Sequence, residues 1–89
     1  HTIAGMFIAQ MEDKLAELNS ALEKGDHEAT RFVSHSIKGN AGDVGAVAVH
    51  KMAAELEKLA KAQNLDDINA VMPLFTATVS ATLAAMGEE

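Results

Sequence analysis

The chain has 89 residues, 48% of them hydrophobic, with no cysteine, tryptophan or tyrosine and a formal net charge of −6. That length supports one core and not two, and the acidic balance argues against a nucleic-acid partner and against an anionic membrane surface. The absence of cysteine excludes disulfides and thiolate metal sites and fits a reducing, cytoplasmic setting, and no apolar run is read as approaching the ~20 residues that span a bilayer.

Four helices are predicted in chain order. The first runs from about Thr2 to Lys24, with Ile8, Met11, Leu15, Leu18 and Leu22 at alternating three- and four-residue steps and Ile3 and Phe7 extending the stripe upstream. Gly25 is placed to end it, where a positive φ is tolerated. Asp26 then reads as the N-cap of the second helix, with Glu28 in its first turn. Ala29, Val33 and Ile37 form its apolar stripe, and its end is read at Ala41 or Gly42. Asp43 is expected to cap the third helix, which carries Val49, Met52, Leu56 and Leu59 beside a row of small residues, Ala46, Ala53 and Ala60, and stops at Asn64. The fourth is capped from Asp66 or Asp67 and buries Ile68, Val71, Met72, Phe75, Val79, Leu83 and Met86, with a kink expected at Pro73. Short loops between amphipathic helices predict an all-α, antiparallel up-down-up-down four-helix bundle occupying residues 1–89 as a single domain.

The second helix is unusual on its other side. At about 100° per residue, with Val33 at zero, His35 falls near 200°, away from the core. Arg31, Lys38, Gly39 and Gly42 fall between about 140° and 240°, on the same outer face. Neutral imidazole has an ordinary pKa of ~6.5, so much of it is a free nucleophile near neutrality. An ammonium on the next turn can pair with an incoming anion. Glycine costs ~1 kcal/mol relative to alanine inside a helix, so Gly39 is read as clearing room for a partner's surface. A base, a cation and open access together suit transfer of a phosphoryl group.

These residues carry a resemblance. His35, Ser36, Ile37, Lys38 and Gly39, followed by Gly45 and Ala46 and then by the "LE" of Leu56 and Glu57, are similar to the pattern of the histidine phosphotransfer (HPt) domain of bacterial two-component phosphorelays. The resemblance implies a phosphohistidine carrier and not a self-contained kinase. In it His35 is the phosphoacceptor, Lys38 stabilises phosphoryl charge, and Gly39 keeps the approach open, with Gly42 and Phe32 as further residues of the receiver-docking surface. It places Glu57 within reach of the imidazole, where a carboxylate would hold Nδ1–H and present Nε2. A surface glutamate is the alternative for Glu57. Phe32, near 260° on the wheel, is either a docking anchor or packed under a neighbouring helix, with packing the preferred reading. Gly45 and Ala46 are implied to serve close helix packing.

The partners so implied are response-regulator receiver domains, with Mg²⁺ on the receiver and no cofactor held by this chain, or a histidine kinase. Two alternatives stand beside the phosphorelay: the phosphoacceptor domain of a chemotaxis-type histidine kinase, and a receiver-docking bundle without chemistry. A bundle di-metal site would need inward Glu and a Glu-x-x-His motif, and the chain has no such motif. His1, His27 and His50 are read as bystanders, the methionines as core filler, and Met6 as part of a docking patch. The abrupt start "HTIAGMF", already in helical periodicity and with no signal-peptide pattern, is read as that of a fragment of a longer chain, such as a hybrid sensor kinase.

Overall fold

A computed structural model describes residues 2–87, so the reading of His1 lies outside the described residues. Among them the chain is all-helical: α1 (Ile3–Glu23), α2 (His27–Val44), α3 (Val47–Lys61) and α4 (Leu65–Gly87), with no strand. At ~1.5 Å per residue the two longest helices measure about 30–35 Å. The molecule extends 38 × 19 × 19 Å, so they lie along its long axis. α1 packs on α2, α2 on α3, α3 on α4, and α4 back on α1, closing a ring around one core.

The turns explain where each helix stops. Gly25, at φ 64°, ends α1: its amide donates to the Leu22 carbonyl at 3.1 Å while the Asp26 amide reaches Ala21 at 2.9 Å. This doubled closure satisfies two carbonyls that the helix end would leave open. The same closure recurs at Gly45, φ 74°, with the Gly45 amide on Gly42 and the Ala46 amide on Ala41. Helix α2 therefore continues beyond the predicted stop at Gly42, because only Gly45 takes the left-handed conformation. Asp43 lies inside α2 and does not cap α3, whose N-cap Ala46 makes no side-chain bond. A third closure falls at Gln63, φ 58°, and ends α3 slightly before Asn64. Asn64 instead opens α4: its Oδ1 accepts the Asp67 amide at 3.2 Å, and its Nδ2 donates to Asp67 Oδ2 at 2.8 Å. Asp66 and Asp67 are first-turn acids, favoured there by the helix dipole. The Asp26 cap forms as read, accepting from the Ala29 amide at 3.0 Å.

The core comprises Phe7, Met11, Leu18, Val33, Ile37, Val49, Leu56, Ile68, Phe75 and Val79, with Ala41, Ala53 and Ala60 where backbones come close. Each large side chain so buried contributes about 1.5–3 kcal/mol relative to exposure. Leu15, Leu22, Met52, Leu59, Val71, Met72, Leu83 and Met86 pack at its margin. Ile3 departs from the predicted stripe and is exposed. It lies at the very start of α1, where its neighbours can cover only one side.

Helix α4 corrects the reading that no run is long enough to cross a bilayer. By length and composition it qualifies, with a mean hydropathy of 1.5 over its 18-residue window. Threonine, serine and asparagine break up its large apolar residues, yet nothing charged follows Asp67 within the helix. In the bundle part of this apolar content is packed: Ile68, Phe75 and Val79 are fully buried, and Val71, Met72, Leu83 and Met86 are partly so. The outer side is mostly small residues and the exposed Leu74.

Candidate functional site

The inner face of α2, Val33, Ile37 and Ala41, is fixed against the core. A residue two positions from Val33 must therefore point outward. His35 does, with 62% of its side chain exposed. The facing helix α3 turns its Ala53 and Ala60 toward the core, and this small-residue face lets the two backbones approach. Glu57 stands between those alanines in sequence and is drawn into the same seam, with only 8% of its side chain exposed.

A carboxylate so buried needs partners. Glu57 Oε2 lies 2.8 Å from His35 Nδ1, and Glu57 Oε1 accepts from Lys38 Nζ at 2.7 Å. Lys61, one turn along α3, brings a second ammonium to 4.0 Å from Oε2. The Lys38 hydrogen bond holds the Glu57 carboxyl below the ordinary carboxylate range, with His35 adding to the effect and burial opposing it. Glu57 is therefore ionised at neutral pH, and an ionised carboxylate only accepts. Nδ1 of His35 must then carry the proton, which leaves the lone pair of the neutral ring on Nε2.

Lys38 is less free than the helical wheel suggests. Its side chain is 29% exposed and is committed to Glu57. Gly39, by contrast, is open: a Cβ built there would meet nothing within 4 Å. Gly42 is exposed on its outer side, yet a Cβ there would come to 3.3 Å of the His50 ring. Its missing side chain is thus used inside the molecule. His50 is no bystander, because its Nδ1 lies 2.9 Å from the Lys38 carbonyl oxygen. A signal for it existed in the sequence: His50 precedes Glu57 by one heptad and so shares its face of α3.

Phe32 corrects the preferred reading that it packs under a neighbour. It is 64% exposed. It borders an open groove between α1 and α2, where α1 offers the small side chains of Ala16 and Ser20 and so cannot cover the ring. Met6 is likewise exposed, beside a shallow hollow formed with Ile3, Asn40, Asp43 and Val44. Arg31, on the outer face, is tied to Glu28 within its own helix. Among the described residues no three of His, Asp and Glu converge as a metal cluster.

The arrangement can hold an imidazole in one tautomer, expose it to a partner and keep an ammonium beside it. A family model for the Hpt domain matches residues 2–86. No curated protein and no solved structure matches the chain. With its four helices and a match spanning nearly its whole length, the chain belongs to the Hpt domain family, and its role in outline is histidine phosphotransfer within a phosphorelay.

Proposed function

We propose that His35 is the phosphoacceptor, taking a phosphoryl group from the aspartate of one receiver domain and passing it to the aspartate of another. The observation that carries this reading is the His35–Glu57–Lys38 constellation on an exposed ring. Nε2 attacks phosphorus in line with the departing aspartate oxygen. The N–P bond forms as the O–P bond breaks, and the receiver recovers its carboxylate. Through the transfer Glu57 keeps Nδ1–H, and so stabilises the positive charge that the ring acquires when Nε2 is phosphorylated. Lys38 turns from Glu57 toward the equatorial phosphoryl oxygens, where charge is spread in such transfers. The receiver brings the Mg²⁺ that screens its own phosphate. Both linkages are high in energy, so the step runs in either direction.

In this reading the helices alternate in direction, supported by the brief connections Lys24–Asp26, Gly45–Ala46 and Ala62–Asn64. Gly39, open to solvent, and the exposed Phe32 one turn before His35 belong to the surface that meets the receiver. The setting is a cytoplasmic two-component pathway, with the chain as a module of a hybrid sensor kinase.

The test is incubation with a receiver domain phosphorylated from labelled acetyl phosphate. The reading expects acid-labile, base-stable label on the wild-type chain and none on His35→Gln. Equal labelling of the two, or no labelling of either across a panel of receivers, overturns it. Receiver binding without label would favour a docking bundle that performs no chemistry.

A further inference from the structure

The seam between α2 and α3 holds one polar bond that the phosphotransfer step does not use. His50 Nδ1 lies 2.9 Å from the Lys38 carbonyl. A carbonyl oxygen only accepts, so Nδ1 carries the proton and donates. That carbonyl sits in the middle of α2, where a helix directs it toward the amide four residues on, which belongs to Gly42. An outside donor can share the oxygen only where residue 42 leaves space. Gly42 does: a Cβ there would stand 3.3 Å from His50 Nδ1 and 3.6 Å from Cε1. The half-buried ring lies over the glycine and reaches the carbonyl beyond it.

Lys38 is therefore held to α3 at both ends. His50 binds its carbonyl, and Glu57, one heptad further along α3, binds its ammonium. The apolar residues these two helices bury are Val33, Ile37 and Ala41 on α2 and Val49, Ala53, Leu56 and Ala60 on α3. Apolar contacts have no preferred direction, so they resist a small rotation or slide of α2 weakly. A hydrogen bond is directional and fixes both. Rotating α2 outward by a fraction of a residue would swing Lys38 away from Glu57.

We propose that His50 is a positioning residue. By binding the Lys38 carbonyl over Gly42, it sets the 38–42 turn of α2 against α3, so that the Lys38 ammonium meets Glu57 beside His35. It touches neither phosphate nor the reacting ring. Its effect on transfer rests on the phosphotransfer reading, whereas its effect on the Lys38–Glu57 pair does not.

The experiment compares wild type, His50→Ala, His50→Asn, Lys38→Ala and the His50→Ala/Lys38→Ala double variant. Asparagine places an N–H donor where Nδ1 stands. The first readout is the acid titration midpoint of the Glu57 side-chain carboxyl by ¹³C NMR; the groups facing it are His35 and Lys38 from α2 and Lys61 from α3. The midpoint is expected to rise in His50→Ala toward that of Lys38→Ala and to return in His50→Asn. The second readout is the rate of His35 phosphorylation by phosphoramidate. The expected loss in His50→Ala is about threefold to tenfold, and it disappears in the Lys38→Ala background because the two act as one unit. A merely structural His50 would leave the Glu57 midpoint in place and give losses that multiply in the double variant; either result overturns the proposal. Should His50→Ala fail to fold, His50→Asn against His50→Gln decides, since glutamine donates from the wrong position: equal midpoints overturn the proposal and a higher one in His50→Gln supports it. If wild type takes no phosphate at His35, the phosphotransfer reading fails, and the Glu57 midpoint still decides the case of His50.

Discussion

The seam between α2 and α3 and the rest of the bundle are built from different interactions. Every side-chain hydrogen bond between helices among the described residues joins α2 to α3: His35 to Glu57, Lys38 to Glu57, and His50 to the Lys38 carbonyl. Elsewhere side chains bond within their own helix or cap, as Thr30 does to the Asp26 carbonyl and Thr82 to the Thr78 carbonyl. Helices α1 and α4 are held through Phe7, Met11, Leu18, Ile68, Phe75 and Val79. Apolar packing supplies stability without fixing any one atom, whereas the polar seam fixes atoms at modest net gain per bond. The chemistry is therefore expected in the seam and the stability outside it. Mutations should separate the two.

The largest effect is expected from His35→Gln, which should abolish phosphate acceptance while the denaturation midpoint stays near wild type, because Glu57 keeps Lys38. Next, Phe75→Ala should cost about 3–5 kcal/mol of unfolding free energy, read by urea titration. Its transfer rate per folded molecule should be close to wild type. If that rate falls as far as in Lys38→Ala, the division between seam and core is wrong. Lys38→Ala should slow transfer on the order of a hundredfold, by analogy with loss of one donor to a charged transition state. Equal rates would remove the charge role assigned to Lys38.

A smaller effect concerns acid. Glu57 is held below the ordinary carboxylate range when folded, chiefly by Lys38. A carboxyl whose folded value is depressed lends stability that is complete above its unfolded value and is lost as pH falls through the folded one. Thermal stability should therefore drop on acidification below the usual carboxylate range, and the drop should be shallower in Glu57→Gln. An identical slope in the two proteins would sink the linkage. The smallest effect contrasts two glycines. Gly39→Ala meets open space and should gain about 0.5–1 kcal/mol. Gly42→Ala must displace the His50 ring and should gain less or lose stability. Equal gains would mean that His50 does not occupy that seat. The bulkier Gly39→Gln should slow exchange with a receiver without unfolding the bundle.

Much of this was legible in the sequence, because helical periodicity reports which side of a helix faces inward. The stripe of Val33 and Ile37 is buried, and with it the outward direction of His35 followed. The Asp26 cap and the Gly25 stop were legible because each has a local chemical reason. What escaped the sequence depends on partners far along the chain. The sequence places the end of α2 at Ala41 or Gly42, and only the backbone tells that Gly45 takes it while Gly42 seats a ring. Asp43 and Asn64 are both good capping residues, and which is used depends on where the preceding helix closes. His50 shares the Glu57 face of α3, a heptad earlier, but its partner is a backbone carbonyl twelve residues before it, and no side-chain pattern marks that bond. Phe32 sits on the flank of the wheel, where the size of the facing residues decides exposure.

The most direct test of the account is ¹⁵N and ³¹P NMR of the phosphorylated chain with labelled histidine. The account predicts phosphorus coupled to Nε2 of His35, with a proton retained on Nδ1 and the Glu57 carboxylate still beside it. Phosphorus on Nδ1 of His35, or on a histidine other than His35, would contradict it.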